Sequence, residues 1–395
     1  MHPITATTLA LVLALGTATE RAFAEQDTSL AALREKLGIT SVLFLSRDER
    51  DLAFKHFDTL FPARTIEASD APYALALQPG DFSALHYRVD DTAYVLEDFL
   101  QMRESRGLLV WQNGRVLLEY YAQGHDQRTR WVSFSIAKSV TSMLIGAAIR
   151  DGYIASVDEP VTHYVPRFRG TNYEGVTIKH VLQMASGVDW NEDYTDPQSD
   201  VARAGAANGI ELVRYLGQLD RGAPPGDVFL YNTGETNLAG EILRAAIGNN
   251  AATYLTHKIW QPFGMGSEAS WLLGKAGGGE TGGCCISATL RDYARLGIFA
   301  LRGGRLADGT RVLPERWMGE STTPSRGSDG YGYLWWLDVS GSFRARGIFG
   351  QQIFIDPRSS LVIAVHSNAP TAVGSRYHEH LEALVAALAK MLGQP

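Results

Sequence analysis

The sequence predicts an α+β protein: an antiparallel sheet flanked by helices, with an all-helical domain inserted between its halves. Three observations carry this. Strand-like segments gather at 107–118 and again at 333–365, the stretch between them is mainly helical, and 395 residues exceed what one hydrophobic core ordinarily organises. The expected division is a leader over 1–24, a sheet-plus-helix domain from 25–154 with 286–395, and a helical domain over 155–285.

The first strand pair is the clearest. Gly107–Trp111 and Val116–Leu118 are apolar runs separated by Asn113-Gly114, a dipeptide that favours a tight primed turn and so antiparallel pairing. The second group, Tyr333–Val339, Gln352–Ile355 and Leu361–Val365, is punctuated by Gly, Pro and Ser. The last element, Tyr377–Leu392, is a helix with Leu381, Leu384, Val385, Leu388 and Leu392 on one face. In the middle, Thr177–Ser186 is a short helix stopped by Gly187, and Thr236–Ile247 a longer one stopped by Gly248. Thr289-Leu290-Arg291-Asp292 is a capping box opening a helix through Phe299. Residues 25 to about 105 give weak signals.

Composition narrows the classes. A hydrophobic share of 45% with 20% charged residues is globular, and a net charge of -7 argues against nucleic acid, whose phosphates need a basic face. Thr8–Leu15 is a short apolar run followed by Ala22-Phe23-Ala24, the pattern of a signal peptide cut after Ala24, so an exported protein, periplasmic or secreted, is expected. His2 is that leader's only basic-type residue before Arg21, which is unusual. The run is too short to span a bilayer and no second one is long enough, so no integral membrane segment is expected in the mature chain. Cys284 and Cys285 are adjacent, a spacing that rarely meets disulfide geometry, and both read as free thiols packed as small apolar groups. His378 and His380 read as solvated helix residues, and neither metal nor cofactor is expected. Gly277-x-Gly279-x-x-Gly282 lacks the strand and acidic partner of a dinucleotide site.

Three pieces can carry chemistry. Ser135-Ile136-Ala137-Lys138 opens an apolar run to Ile149 that reads as a buried helix, on which residues three apart are neighbours. A serine hydroxyl needs a base, and lysine becomes one when burial lowers its pKa. The helix N-terminus adds free N–H groups that can hold an oxyanion. Taken alone, an N-cap serine with an exposed lysine is the commoner arrangement. Pro225–Thr233 places Tyr231 just ahead of a helix, where a phenol can relay protons if cations keep its pKa low; taken alone, a core tyrosine with its hydroxyl satisfied is the commoner arrangement. Ala345-Arg346-Gly347-Ile348-Phe349-Gly350-Gln351-Gln352 brings glycines and a free strand-edge N–H, or is a plain bulged hairpin.

In this order the three pieces resemble the serine beta-lactamase, penicillin-binding protein and esterase superfamily. They are most similar to its branch of class C-like carboxylesterases and 6-aminohexanoate-dimer hydrolases. Trp190–Pro197, Gly282-Gly283 leading to Ser287–Asp292, and Gly350-Gln351 before Asp356-Pro357 extend the likeness from about Gly107 to the C-terminus. The resemblance implies a beta-lactamase/transpeptidase-like fold with Ser135 acylated, Lys138 its base and Tyr231 the proton shuttle. It also implies backbone N–H groups of Ser135 and Ile348 as the oxyanion hole. Tyr194 falls at a substrate-loop tyrosine, and Thr233, Gly347, Gly350 and Gln351 line the substrate. The chain departs from penicillin-type members at Ala345-Arg346-Gly347, where they carry Lys-Thr-Gly, and at Thr233, where they carry Asn. Lys275-Ala276-Gly277 imitates the first motif at the wrong place in chain order. These departures point away from beta-lactams and toward a small-molecule ester or amide. Ala202–Gly209 holds no carboxylate to grip an amino group, which makes nylon-oligomer cleavage a minor expectation. The alternatives are beta-lactamase or D-alanyl peptidase activity, or a non-catalytic relative that binds acyl ligands or cell-wall peptides.

Overall fold

Asn113 and Gly114 both take positive φ, 48° and 89°, as a primed two-residue turn requires. The strands they join, Ser105–Gln112 and Arg115–Tyr121, pair antiparallel with Gln112 opposite Arg115. The computed structural model describes residues 29–122 and 124–393, so the expected leader lies outside the described residues. Its strands in chain order are β1 (Ala63–Ile66), β2 (Ala76–Leu77), β3 (His86–Val89), β4 (Thr92–Val95), β5 (Ser105–Gln112), β6 (Arg115–Tyr121) and β7 (Arg130–Val132). There follow β8 (Ala269–Leu272), β9 (Ile286–Thr289), β10 (Trp336–Leu337), β11 (Phe343–Arg346), β12 (Gln352–Asp356) and β13 (Leu361–Ser367).

The main sheet has seven strands in the order β10-β11-β12-β13-β5-β6-β2, antiparallel except for the short β2–β6 pair. The predicted hairpin therefore pairs directly with the C-terminal strands: Ile363 stands opposite Val110 and Ala364 opposite Leu109. Alternate residues face opposite cores. Leu109, Trp111, Ile353, Ile355, Val362 and Ala364 belong to one, Leu108, Val110, Phe354, Leu361, Ile363 and Val365 to the other. Four helices position the rest: α1 (Ile136–Arg150), α2 (Thr233–Ile247), α3 (Leu290–Leu301) and α4 (Arg376–Leu392). Leu290 and Ile298 of α3 sit in the first core, Leu381, Leu384, Val385 and Leu388 of α4 in the second. The protein is thus a mixed fold of antiparallel sheets flanked by helices. A second sheet, β1-β8-β9-β7, lies beside it, and β8 falls inside the stretch expected to be helical.

Other expectations shift for local reasons. The strand expected over 333–339 shrinks to β10, because Leu334 takes φ 62° and donates its N–H to Leu182 O at 2.9 Å, leaving the extended path. The helix expected to reach Ser186 ends at Leu182, because Met184 takes φ 50°. Helix α2 starts at Thr233, earlier than expected, since the Asn232 side chain accepts from Glu235 N and caps it. His380 is not solvated: it is buried, and its Nδ1 lies 3.1 Å from Tyr87 Oη. Cys284 and Cys285 are not separate thiols either. They are joined to each other on a tight turn that is closed by Cys284 N–H donating to Thr281 O at 3.3 Å. Among the described residues no helix is long and apolar enough to cross a membrane.

Candidate active site

Ser135 stands immediately before α1 with φ -68° and ψ -3°, and its side chain makes no capping bond. Its hydroxyl is not spent on the helix, unlike that of an ordinary N-cap serine. Phe134 ahead of it takes φ 45°, and Phe349, after Ile348, takes φ 68°. Such conformations cost about 1–3 kcal/mol each in bulky residues and persist where packing over-determines them. Here the two rings pack on each other, centroids 5.5 Å apart. The strained pair thereby fixes the backbone at Ser135 and at Ile348 together. Each lies at the start of a helical segment, Ile348 opening a single 3-10 turn, where an N–H has no intrahelical acceptor.

Lys138 is on the same face of α1, 1% exposed. Its Nζ donates to Thr233 Oγ1 at 2.9 Å and to Gly283 O at 3.1 Å, and lies 5.4 Å from the Tyr231 ring centroid. Burial lowers its pKa to about 8, against the opposing charge of Glu192. Tyr231 stacks on Trp336, 5.4 Å between centroids and 20° between planes. Its pKa is not held low by cations, as the sequence suggested. Burial and then the Glu192 charge raise it, and a hydrogen bond with the Ser135 side chain only partly opposes them. The phenol keeps its proton and can serve as a donor.

Tyr194 is half-buried, and its hydroxyl donates to Glu192 Oε1 at 2.8 Å. Thr233 binds the same carboxylate twice, through its hydroxyl and through its N–H at 3.0 Å, and Trp190 Nε1 donates to it as well. Glu192 therefore ties the Tyr194 loop to the residue that holds Lys138. The sequence offered one faint signal for it: Trp190, Glu192 and Tyr194 alternate on a stretch with turn residues on either side.

Gly347 approaches Ser133 so closely that a Cβ would lie 2.3 Å from Ser133 O. Its N–H donates to Gln351 O at 2.8 Å. Gly350 takes φ 92°, and buried Gln351 donates through Nε2 to Ser367 O at 3.0 Å. Arg346 pairs with Glu382 at 2.8 Å and lies 5.7 Å over the Trp336 ring. Two cavities meet at Ser135, Tyr194 and Ile348. One of about 610 Å3 carries Tyr231, Trp336, Arg346, Gly347, Gly350 and Gln351, the other, about 250 Å3, carries Thr233 and a largely apolar wall. Among the described residues no group of three or more His, Cys, Asp or Glu side chains could hold a metal ion.

This fold and pocket define a hydrolase of the beta-lactamase fold. The family model described as "Beta-lactamase" matches residues 95–387, and the chain belongs to that family. The 6-aminohexanoate-dimer hydrolase of Paenarthrobacter ureafaciens is 29% identical over 350 residues, covering 82% of this chain and 87% of that protein. A structure provisionally assigned as a 6-aminohexanoate-dimer hydrolase from Bacillus anthracis superposes with a TM-score of 0.75 at 21% identity, over 87% of this chain and 94% of that one. A family VIII carboxylesterase superposes at 0.57 with 17% identity, over 74% and 96%.

Proposed function

We propose that the protein is a serine hydrolase that cleaves esters or small amides through an acyl-enzyme on Ser135. The neutral amine of Lys138 takes the proton of Ser135 Oγ as that oxygen attacks the carbonyl carbon. The N–H groups of Ser135 and Ile348 hold the charge that develops on the carbonyl oxygen. When the tetrahedral intermediate collapses, the leaving group takes the phenolic proton of Tyr231, and the Lys138 ammonium returns a proton to the phenolate. Water then attacks the acyl-enzyme, loses its proton to the same base, and releases the acid with Ser135 restored.

The observation that carries this reading is the amine of Lys138: buried, on the serine's helix face, and beside the ring of Tyr231. An ammonium kept only for structure would gain more from a buried carboxylate in direct contact than from a hydroxyl and a carbonyl. The named relatives support ester and amide substrates alike. Arg346, in the segment where penicillin-type members carry Lys-Thr-Gly, is paired with Glu382 and so not free to hold a substrate carboxylate, which favours esters and amides over beta-lactams. The first 24 residues support an exported location. The test is hydrolysis of p-nitrophenyl butyrate beside the Ser135→Ala variant. Turnover by the parent alone is expected, and equal rates would remove the proposal.

A further inference from the structure

We propose that the 250 Å3 cavity is the subsite for an uncharged aliphatic acyl group, roughly butanoyl to octanoyl, and that the arm of chain ahead of the family match sets its length. This rests on Ser135 as the nucleophile.

The direction of the substrate follows from the proton donor. Tyr231 lines the larger cavity and not the smaller. A leaving group must touch the acid that protonates it, so it extends into the larger cavity, and the other substituent of the carbonyl carbon crosses Ser135 and Ile348 into the smaller one. The smaller wall is formed by side chains such as Val42, Leu43, Phe57, Phe61, Val201 and Leu272, and among the described residues its lining holds no Asp, Glu, Lys, Arg or His. A charged chain end there would be stripped of water with no charged side chain in the lining to meet it, since Lys138 and Glu192 behind the wall are both already bonded to Thr233. The larger cavity, by contrast, carries Arg346, Glu379 and Glu382, so charge is tolerated on the leaving side. At about 30 Å3 for a water-sized group, 250 Å3 holds about eight such groups, which sets the upper length.

Val42, Leu43, Phe57 and Phe61 all precede residue 95, where the family match begins. They are anchored rather than draped. Phe57 is buried, its ring 4.6 Å from that of Phe61 and 6.4 Å from that of Phe134, the residue next to the nucleophile. The arm is therefore a wall of the site, and replacing its side chains changes the room for the acyl chain.

The experiment measures kcat/KM of the full chain on p-nitrophenyl esters from acetate to dodecanoate, and on the 6-aminohexanoate ester as a charged match for hexanoate. Expected is a rise of roughly 4-fold per methylene to an optimum between butanoate and octanoate, then a fall. The amino ester should be on the order of 100-fold poorer than hexanoate. Leu43→Trp should move the optimum to shorter chains and Leu43→Ala to longer ones. A flat profile in the parent, an amino ester turned over as well as hexanoate, or an optimum that ignores both folded variants would overturn the inference while Ser135-dependent turnover stands. Loss of Ser135-dependent turnover on every ester would overturn this subsite and the proposed function together.

Discussion

Lys138 donates to Thr233 Oγ1 at 2.9 Å, and the threonine hydroxyl donates in turn to Glu192. The amine is thus held by a hydroxyl whose own proton points at a carboxylate. Its charge state is set by two opposed influences, burial against the protonated form and the glutamate for it.

The free amine is the form that can accept the serine proton, so kcat/KM should rise with pH through a midpoint near 8. Replacing Glu192 by Gln removes the charge that supports the ammonium. The lysine pKa then falls and the rising limb moves to lower pH. A midpoint unchanged in Glu192→Gln would show that the carboxylate only anchors the loop.

Ser135→Ala should abolish labelling by a fluorophosphonate and lower ester turnover by roughly 10^3-fold or more. Losing an N-cap serine ordinarily costs about 1 kcal/mol. Ser135 makes no capping bond, so calorimetry should find the melting temperature almost unmoved. A drop of several degrees would mean that the hydroxyl serves the helix after all.

Tyr231→Phe keeps the ring that stacks on Trp336 and removes only the acid. Turnover of alkyl esters, whose alkoxide leaves poorly, should fall by roughly 10^2- to 10^4-fold. Loss on p-nitrophenyl esters should be much smaller, because that phenolate departs without a proton. Equal losses on the two substrate types would contradict the assignment of Tyr231 as the donor to the leaving group.

Gly347→Ala would force a Cβ to within 2.3 Å of Ser133 O, a contact that only backbone movement relieves. Ile348 follows directly, so its N–H would swing away from the carbonyl oxygen. A loss in kcat of roughly 10^2-fold with little change in KM is expected. Unchanged kcat would remove Ile348 from the oxyanion hole.

Local chemistry explains what was legible before the fold was known. The hairpin at Asn113-Gly114, the helix after Ser135 and the cap at Thr289 each depend on neighbours in the chain, and each lies where its residues pointed. The role of Glu192 was not legible, because its partners Thr233 and Lys138 are distant in sequence and meet it only across packed elements. The same holds for the arm: Leu43 and Phe61 show no strong periodicity, and only tertiary packing brings them beside Tyr194. The expected strand at 333–339 failed at Leu334, where a bond to Leu182 outweighs the extended preference of the apolar run. The pKa of Tyr231 was misjudged since burial raises it first and the charge that acts on it next is the anion of Glu192.

Strand β13 lies between β12 and the hairpin strand β5, and the two N–H groups that would cradle the reacting carbonyl are far apart in the chain, Ser135 following β7 and Ile348 preceding β12. On the proposed mechanism, a ribosome must therefore finish nearly the whole polypeptide before the Ser135 hydroxyl faces both of those N–H groups. Until then the growing chain is chemically idle, and any version cut short before Leu361 should stay so, however well its earlier helices form.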